Sequence, residues 1–314
     1  MVTSEQSGYI SLMSVVVPGS LNIDLVVNLD RMPNPGETVH GQTFQTFPGG
    51  KGLNQAVGAA RSSAATSMVG ALGNDPYSKT LRDVMALESI DDKYVRGIDG
   101  ACGTAIIEVD SSGQNRIVVI PGANAEMKSS EVDIKSFGSD AVMLAQLESP
   151  ISELTKLFQA AKGVGFTTIL NPAPAVQLSH EFLQVIDILI PNQHEAELLT
   201  GIEVDSKESA KAAAKSLLSV GVKAVVVTLG EIGAIYISES EEIFQEAFPV
   251  NPVDTTAAGD AFCGGFAAEI DRGHSIADAL RYACAAGGLA TTKQGAVPSV
   301  PTELEIRSFL KNFA

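Results

Sequence analysis

Cysteine is scarce in this 314-residue chain, and its few cysteines follow no pairing pattern. They are odd in number and show no C-x-x-C spacing, which indicates reduced thiols in a cytosol rather than a disulfide framework. The four histidines are scattered along the chain, which argues against a zinc cluster. The cysteines are Cys102, Cys263 and Cys284.

Basic residues and long apolar runs are also lacking. Lys and Arg total 21 against 37 Asp and Glu, and the net charge of −16 argues against nucleic acid or an anionic membrane as a partner. An anionic substrate therefore needs a local positive site. No apolar run reaches the roughly 18 residues of a membrane span. The polar opening, residues 1–8, lacks the basic start of a signal peptide, so we expect a disordered tail there and a cytoplasmic protein.

Short β-branched runs alternate with helical patterns along the chain. With 45% hydrophobic residues available for a core, this alternation predicts an α/β fold with a largely parallel sheet. The predicted strands are 10–17, 66–71, 141–145, 166–170, 186–190 and 224–229. The predicted helices are 151–162, 193–200, 207–219, 259–272, 275–292 and 302–313.

Two segments, about 24–47 and 103–121, interrupt this alternation. The first contains the turn formers Pro33, Pro35 and Gly36, and the second has strand-like runs on both sides of D-S-S-G, which predicts a hairpin. Neither segment is long enough for a domain of its own. We expect them to form a small sheet that covers the main body, within one domain over 9–314.

The most informative motif places a carboxylate after small residues at the start of a predicted helix. The first N–H groups of a helix lack internal partners and attract anions, and Ala257, Ala258 and Gly259 would let a phosphate approach them. Asp260 follows with no basic residue in the motif, so it is free to accept a proton from a hydroxyl. The alternative is an Asp N-cap with a flexible glycine turn.

A second constellation lies near the amino terminus. Asn22 and Asp24 follow the first strand, at the edge where open α/β sheets bind ligands, and could grip sugar hydroxyls; the alternative is an Asx turn. The cluster F-P-G-G-K-G-L-N-Q, which contains Lys51, leads into a helical pattern but lacks the Walker spacing. It fits a binding loop or a glycine-rich helix entry equally well.

Three further pieces remain ambiguous when taken singly. Glu148 follows the strand 141–145 and is either a site carboxylate or a solvated glutamate. Asn192 and Glu195 fit a capping box, or a carboxylate near a triphosphate and Mg²⁺. The glycine turn 228–233 can lie against a nucleotide or serve as a plain hairpin turn.

Together these motifs resemble the ribokinases of the PfkB carbohydrate kinase family, from about Tyr9 to the carboxyl terminus. The two signature regions are G-G-K-G-L-N-Q from Gly49 and D-T-T-A-A-G-D from Asp254. Further similar pieces are G-E-T, Q-L-E-S, N-P-A-P, N-x-x-E and G-A-V-P-S. The resemblance implies a ribokinase-like three-layer α/β/α sandwich with a mainly parallel central sheet and a small β-sheet lid. It also implies ATP-dependent phosphorylation of D-ribose at the 5-hydroxyl, and a homodimer formed through the lid.

The resemblance also implies roles for particular residues. The catalytic group is Asp260 as general base, Lys51, and an anion hole at Ala257, Ala258 and Gly259. The sugar ligands are Asn22, Ile23, Asp24, Gly50, Lys51, Gly52, Leu53, Asn54, Glu148 and Asp260. The ATP side comprises Asn192, Glu195, Thr228, Leu229, Gly230, Glu231, Ile232, Gly233, Gly259, Asp260 and Cys284. A potassium ion is expected at Asp254, Thr256, Ala290, Lys293, Gly295 and Ser299, and Mg²⁺ at Glu195 through water.

Two positions depart from the family pattern, and three other functions compete. Pro18 stands where an aliphatic residue is more usual, and Cys284 stands where relatives can have histidine, which weakens the inferred adenine contact. The alternatives are a PfkB kinase for deoxyribose, fructose or adenosine, or a non-catalytic sugar-binding regulator on the same fold. A dinucleotide-binding dehydrogenase ranks last because no G-x-G-x-x-G follows the first strand.

Overall fold

The computed structural model of the chain describes residues 14–313. The predicted tail and the first part of the predicted strand 10–17 lie outside these described residues. The strands are β1 (Val15–Pro18), β2 (Asn22–Leu29), β3 (Gly41–Gly49), β4 (Thr66–Leu72), β5 (Asp91–Gly97), β6 (Gly103–Val109), β7 (Asn115–Ile120), β8 (Val142–Ala145), β9 (Thr167–Leu170), β10 (Ile188–Leu189), β11 (Ala224–Thr228), β12 (Gly233–Ser238) and β13 (Glu242–Glu246). The α-helices are α1 (Lys51–Arg61), α2 (Pro76–Leu87), α3 (Ile151–Gly163), α4 (His180–Leu183), α5 (Gln193–Thr200), α6 (Lys207–Ser219), α7 (Ala258–Asp271), α8 (Ile276–Ala290) and α9 (Glu303–Leu310).

Most of these strands form one large sheet in the order β13-β12-β11-β10-β9-β8-β1-β4-β5. Its pairs are parallel from β11 to β5, and β12 and β13 add an antiparallel edge. Helices cover both faces, because Val15 and Val17 pack into one core cluster with α1, α2, α7 and α8, while Val16 packs into another with α3, α5 and α6. This arrangement confirms the predicted three-layer sandwich.

The predicted elements agree with the structure to different degrees. Helices α5 and α6 have the predicted bounds, and α7 begins one residue earlier, at Ala258. Strand β10 has only two residues, so the prediction over 186–190 was too long. Helices α2 and α4 and strands β5 and β13 were not predicted. Strand β5 is an edge strand of mostly exposed or half-buried polar residues, D-D-K-Y-V-R-G, and its pattern gives little apolar signal.

The two interrupting segments form a separate four-stranded lid sheet in the order β3-β2-β6-β7. The predicted hairpin is confirmed by the antiparallel pair β6 and β7. Ile106 lies opposite Val118, and Ile107 lies opposite Ile117, so Ile106 and Ile117 are on opposite faces of the lid. Apolar side chains are therefore present on both faces, whereas the sequence pattern suggested one.

Helices α1 and α7 touch backbone to backbone on one face of the large sheet. A Cβ atom added at Gly264 in α7 would lie 2.5 Å from the carbonyl oxygen of Gln55 and 2.7 Å from the nitrogen of Ala59, both in α1. Only glycine allows this approach, which brings the first turn of α1 against the first turn of α7.

Among the described helices, none is long and apolar enough to cross a membrane.

Candidate active site

The start of α7 presents backbone donors that have no partner. Ala257, in the N-cap position, has a left-handed conformation with φ of 60°. Within residues 14–313, no acceptor pairs the N–H groups of Ala257, Gly259 or Asp260. A Cβ added at Gly259 would meet nothing within 4 Å, so there is open space beside these donors. The turn can therefore cradle an anion, as its sequence predicts.

The start of α1 is different, because its N–H groups are already paired. The N–H of Lys51 donates to Glu148 Oε2 at 3.2 Å, and that of Gly52 donates to Ser20 Oγ at 3.2 Å. The N–H of Leu53 donates to the carbonyl of Ser20 at 2.9 Å. A Cβ at Gly52 would lie 2.4 Å from the nitrogen of Ser20, which explains the glycine. The glycine cluster thus lets the start of α1 pack against the turn that follows β1. The N–H groups without a partner are those at the start of α7.

Asp260 is buried and held by two side-chain amides of α1. Asn54 Nδ2 donates to its Oδ2 at 3.0 Å, and Gln55 Nε2 donates to its Oδ1 at 2.9 Å. The motif predicts a carboxylate with no basic partner nearby in the sequence, and in the structure each of its oxygens accepts one hydrogen bond from an amide. Because a carboxylate oxygen has two lone pairs, each keeps one acceptor position for a substrate hydroxyl.

Charge in this cluster is shared between one lysine and several carboxylates. Burial raises the pKa of Asp260, and Lys51 and the two amides act against that rise. Burial alone would lower the pKa of Lys51, but the charges of Asp260, Glu148 and Glu195 outweigh it and raise that pKa. Lys51 therefore remains protonated and supplies the local positive charge that an acidic chain needs to bind an anion.

The sugar candidates Asn22 and Asp24 lie at the base of the lid, on β2. Burial and the charges of Glu148 and Asp260 raise the pKa of Asp24 to about 7, with Lys51 acting in the opposite direction. A Cβ at Gly49 would lie 2.2 Å from Asp24 Oδ2. The neighbouring strand β3 therefore has room for this carboxylate only because residue 49 is a glycine. The structure brings these groups, Lys51 and Asp260 together.

Glu148 is not a freely solvated side chain. Its Oε2 accepts from Ser20 Oγ at 2.6 Å and from the N–H of Lys51. It therefore joins β8, the turn after β1 and the first residue of α1. The solvated alternative for this position is wrong.

On the nucleotide side, the capping box of α5 is confirmed. Asn192 Oδ1 accepts from the N–H of Glu195 at 2.8 Å, and Glu195 Oε2 accepts from the N–H of Asn192 at 2.9 Å. Glu195 is buried, and burial raises the pKa of its carboxyl group. Within residues 14–313, nothing hydrogen-bonds its Oε1. The cap therefore leaves one oxygen available.

The other nucleotide candidates lie on β11, β12 and α8. The turn over 228–233 is a short 3₁₀ turn between antiparallel strands, so the hairpin is confirmed. A bridge pairs Asn192 with Thr228, so the turn and the start of α5 are neighbours. Cys284 is half-buried in α8, where burial raises its thiol pKa to about 12.

The predicted cation residues lie on two loops that Asp254 joins. Its Oδ1 accepts from the N–H of Thr256 at 2.9 Å and from Thr256 Oγ1 at 2.6 Å, and its Oδ2 accepts from the N–H of Gly295 at 2.9 Å. Ser299 Oγ lies 3.5 Å from the carbonyl oxygen of Thr256. The carbonyl of Ala290 accepts from the N–H of Lys293 at 3.4 Å. The side chain of Lys293 pairs with Glu305, which leaves only its carbonyl as a candidate ligand.

Three residues at the centre of the site received no role from the sequence analysis. Gln55 donates to Asp260 and to Asn171 Oδ1, and its Oε1 accepts from Gln146 Nε2 at 2.6 Å. Asn171 also lies 3.5 Å from Glu195 Oε2, so amides connect Asp260 with Glu195 at the start of α5. These residues occur in the motifs quoted above, but a motif match does not show which side chains touch.

An α/β/α sandwich with a β lid, a buried carboxylate and a helix-terminus anion cradle has the architecture of a small-molecule kinase. The family model for pfkB family carbohydrate kinases matches residues 13–303. The chain is 39% identical over 300 residues to a Staphylococcus aureus ribokinase, which covers 93% of this chain and 98% of that protein. It therefore belongs to the pfkB family of carbohydrate kinases.

Solved structures agree with this assignment. A Thermotoga maritima ribokinase matches with a TM-score of 0.88 and 37% identity, over 96% of this chain and 100% of that one. An Arabidopsis thaliana ribokinase, solved in complex with ribose and ATP, matches with a TM-score of 0.87 and 34% identity, over 95% of this chain and 99% of that one. These similarities confirm the predicted fold class.

The contact between Gln55 and Asp260 makes a prediction about proton affinity. Replacing Gln55 by leucine removes one donor to the carboxylate, so the pKa of Asp260 should rise further above its ordinary value. Carbon-13 NMR titration of the aspartate carboxyl groups measures this, with Asp260→Asn identifying the signal. The exposed Gln177 offers a matched control, since Gln177→Leu makes the same chemical change outside the network. An unchanged Asp260 titration in Gln55→Leu contradicts the role of this hydrogen bond.

Proposed function

We propose that this chain transfers the γ-phosphoryl group of ATP to the 5-hydroxyl of D-ribose, giving D-ribose 5-phosphate and ADP. The observation that carries the proposal is the buried carboxylate of Asp260 beside the unpaired N–H groups at the start of α7. Family membership and the ribokinase relatives support the choice of sugar. A coupled ADP-release assay with pentoses, hexoses and nucleosides tests it. Turnover of another substrate, or none at all, favours the alternative kinases or the regulator.

The sugar lies between the lid and the body in this proposal. Its hydroxyl groups are surrounded by residues of three parts of the chain: Asn22, Ile23 and Asp24 on β2, the segment 50–54, and Glu148. Carboxylates accept hydrogen bonds from sugar hydroxyls, and the amides of Asn22 and Asn54 can donate to them. Asn54 Oδ1 is buried without a partner among the described residues, so it is also available to a hydroxyl.

Proton transfer and charge stabilisation involve different groups. Asp260 accepts the proton of the 5-hydroxyl as that oxygen attacks the γ-phosphorus in line. Lys51 and the unpaired N–H groups of Ala257 and Gly259 meet the negative charge on the transferring group. The N–H of Ala258, the other residue of the predicted anion hole, already donates to the carbonyl oxygen of Thr255 at 3.2 Å. These donors are in place before the substrate arrives, so little reorganisation is needed at the moment of reaction.

The nucleotide occupies the neighbouring surface formed by Asn192, the turn 228–233 and Cys284. Glu195 fits Mg²⁺, because Mg²⁺ keeps several waters and binds few protein carboxylates besides substrate phosphates. Its unpaired Oε1 can accept from a water of that ion. When bound, Mg²⁺ neutralises charge on the phosphates.

The residues joined by Asp254 fit a monovalent cation such as K⁺. They offer one carboxylate with backbone and hydroxyl oxygens of Thr256, Ala290, Lys293, Gly295 and Ser299, which are hard ligands of low total charge. Hydrogen bonds from Thr256 and the N–H of Gly295 lower the pKa of Asp254 against the effect of burial, so the carboxylate stays charged. The ion would stabilise the loop that leads into the anion cradle.

We also infer a cytoplasmic location and a homodimer. The three free cysteines suit a reducing compartment. The lid supports the dimer, because it exposes Phe44, Ile106, Ile117 and Val118, with Val118 at 59% exposure. A small sheet with apolar side chains in water is marginally stable, and a second lid would cover them.

Asp260→Asn should lower kcat by about 10²–10⁴ while ribose binding remains nearly intact, as expected for loss of a general base. Steady-state kinetics and equilibrium binding measure the two effects. Asp271→Asn is the matched control, because Asp271 is also a buried carboxylate but lies at the other end of the same helix. A mutant with nearly wild-type kcat shows that Asp260 is not the base.

Activity in buffer free of sodium and potassium should fall and recover when K⁺ is added, because the ion organises the loop beside the anion cradle. Initial rates are measured from zero to about 100 mM K⁺, with choline chloride keeping the ionic strength constant so that general screening does not change. Rates that do not depend on K⁺ count against the cation site.

The variant with Ile106→Asp and Ile117→Asp should be monomeric and bind ribose more weakly, because it places a charge on each face of the lid. Sedimentation velocity at micromolar concentration gives the oligomeric state, and calorimetry gives the affinity. The single variants show which face meets the partner. A wild type that is already monomeric, or a double variant that remains dimeric, contradicts this interface.

A further inference from the structure

The side chain of Asn124 makes a buried contact with the sugar candidate Asn22. Asn124 lies in the 3₁₀ turn Gly122–Glu126, which follows lid strand β7, and is 2% exposed. Its Oδ1 accepts from the N–H of Leu21 at 2.9 Å. Its Nδ2 donates to Asn22 Oδ1 at 2.7 Å and lies 3.4 Å from the carbonyl oxygen of Leu21. All its polar atoms are therefore engaged at the start of β2.

This contact determines the orientation of two amides in succession. A backbone N–H can only donate, so the oxygen of Asn124 must face Leu21. The nitrogen of Asn124 then faces Asn22, whose oxygen must accept. The remaining polar group of Asn22 is its Nδ2, which has no acceptor among residues 14–313. With its Oδ1 engaged by Asn124, Asn22 has its Nδ2 donors left for a ligand.

The carboxylates near Asn22 make the orientation of its amide important for recognising a ligand. Asp24, Glu148 and Asp260 influence one another electrostatically and, when ionised, can only accept. A hydroxyl group can accept from Asn22 and donate to a carboxylate at the same time, whereas a hydrogen atom in its place can do neither. A fixed donor among acceptors therefore favours a ligand that carries a hydroxyl at that point.

We propose that Asn124 is a positioning residue that holds Asn22 as a donor to one hydroxyl group of the sugar. This inference rests on the proposed function, since it assumes that a sugar occupies the space between the lid and the body. The inference adds Asn124 to the residues that determine which sugar hydroxyl the site recognises.

The position of Asn124 also links this role to the lid. Asn22 begins β2, Gly103 begins β6, and Asn124 follows β7, so three connections between the lid and the body meet here. A Cβ at Gly103 would lie 2.1 Å from both Asn124 Nδ2 and Asn22 Oδ1. Only glycine therefore fits at position 103, beside the two amides. The contact between Asn124 and Asn22 lies where the lid joins the body.

Asn124→Asp tests the proposal with little change in shape. The carboxylate still accepts from Leu21, but its second oxygen cannot donate, so Asn22 turns its nitrogen toward position 124 and presents its oxygen to the sugar. The dissociation constant for D-ribose should rise about tenfold or more, while that for ATP stays unchanged. Ala125→Asp is the control, because it adds the same charge at an exposed position of the same turn. Unchanged ribose affinity, or equal losses for ribose and ATP, overturns the proposal.

Riboses that each lack one hydroxyl identify the group that Asn22 reads. For the wild type, one of these analogues should bind more weakly than ribose, and Asn124→Asp should lose most of that difference. The same cost in both proteins overturns the proposal. If Asn124→Asp fails to fold, Asn22→Asp provides the comparison, because its carboxylate still accepts from Asn124 but has no donor for the sugar. It should abolish the same difference.

Hydrogen exchange in the sugar-free protein separates this inference from the proposed function. The Nδ2 protons of Asn124, identified by their absence in Asn124→Asp, should exchange slowly in the wild type and faster in Asn22→Ala. Exchange that does not respond to Asn22→Ala overturns the inference, whichever sugar the enzyme uses. Failure of the wild type to bind or phosphorylate ribose, with the exchange result as expected, overturns only the choice of ribose.

Discussion

The close approach of α1 and α7 is the constraint on which the site depends. Gly264 lies against the backbone of α1, and no larger residue fits there without moving one helix. This approach places Asn54 and Gln55 within hydrogen-bond distance of Asp260. The carboxylate is thereby buried with a partner on each oxygen, and the unpaired N–H groups belong to the same first turn of α7. A buried charge is tolerated only when such partners are present.

The backbone N–H groups at the starts of α1 and α7 have different uses. The first N–H groups of α1 bind Ser20 and Glu148 and so hold the start of that helix against the turn after β1. At the start of α7 the N–H groups of Ala257, Gly259 and Asp260 have no acceptor within residues 14–313, and there is unfilled space at Gly259. In a chain with a net charge of −16, the anion cradle therefore relies on Lys51 and on backbone dipoles rather than on a basic surface.

Amide side chains connect the parts of the site that belong to different layers. Gln146, Gln55 and Asn171 link Asp260 with the start of α5, and Asn124 links the lid with the strand that carries Asn22 and Asp24. Gln55, Asn171 and Asn124 each donate and accept, so one fixed end determines the orientation of the next amide. Such chains make the geometry of a carboxylate depend on residues that lie some way from it.

The sequence alone determined the fold class, most of the central strands and helices, the lid hairpin and the identity of the motifs. These follow from local periodicity, turn residues and short signatures, which do not depend on distant parts of the chain. It missed α2, although Asp75 caps that helix and Pro76 stands at its first position, and it missed the polar edge strand β5, where the apolar signal is weak. It also could not show that Asp260 is paired, that Glu148 is engaged, or that Ile106 and Ile117 lie on opposite faces. Those facts depend on strand register and helix approach between residues as far apart as Asn54 and Asp260. Only tertiary packing decides them, because contact across such separations depends on how the layers fit together rather than on any local pattern.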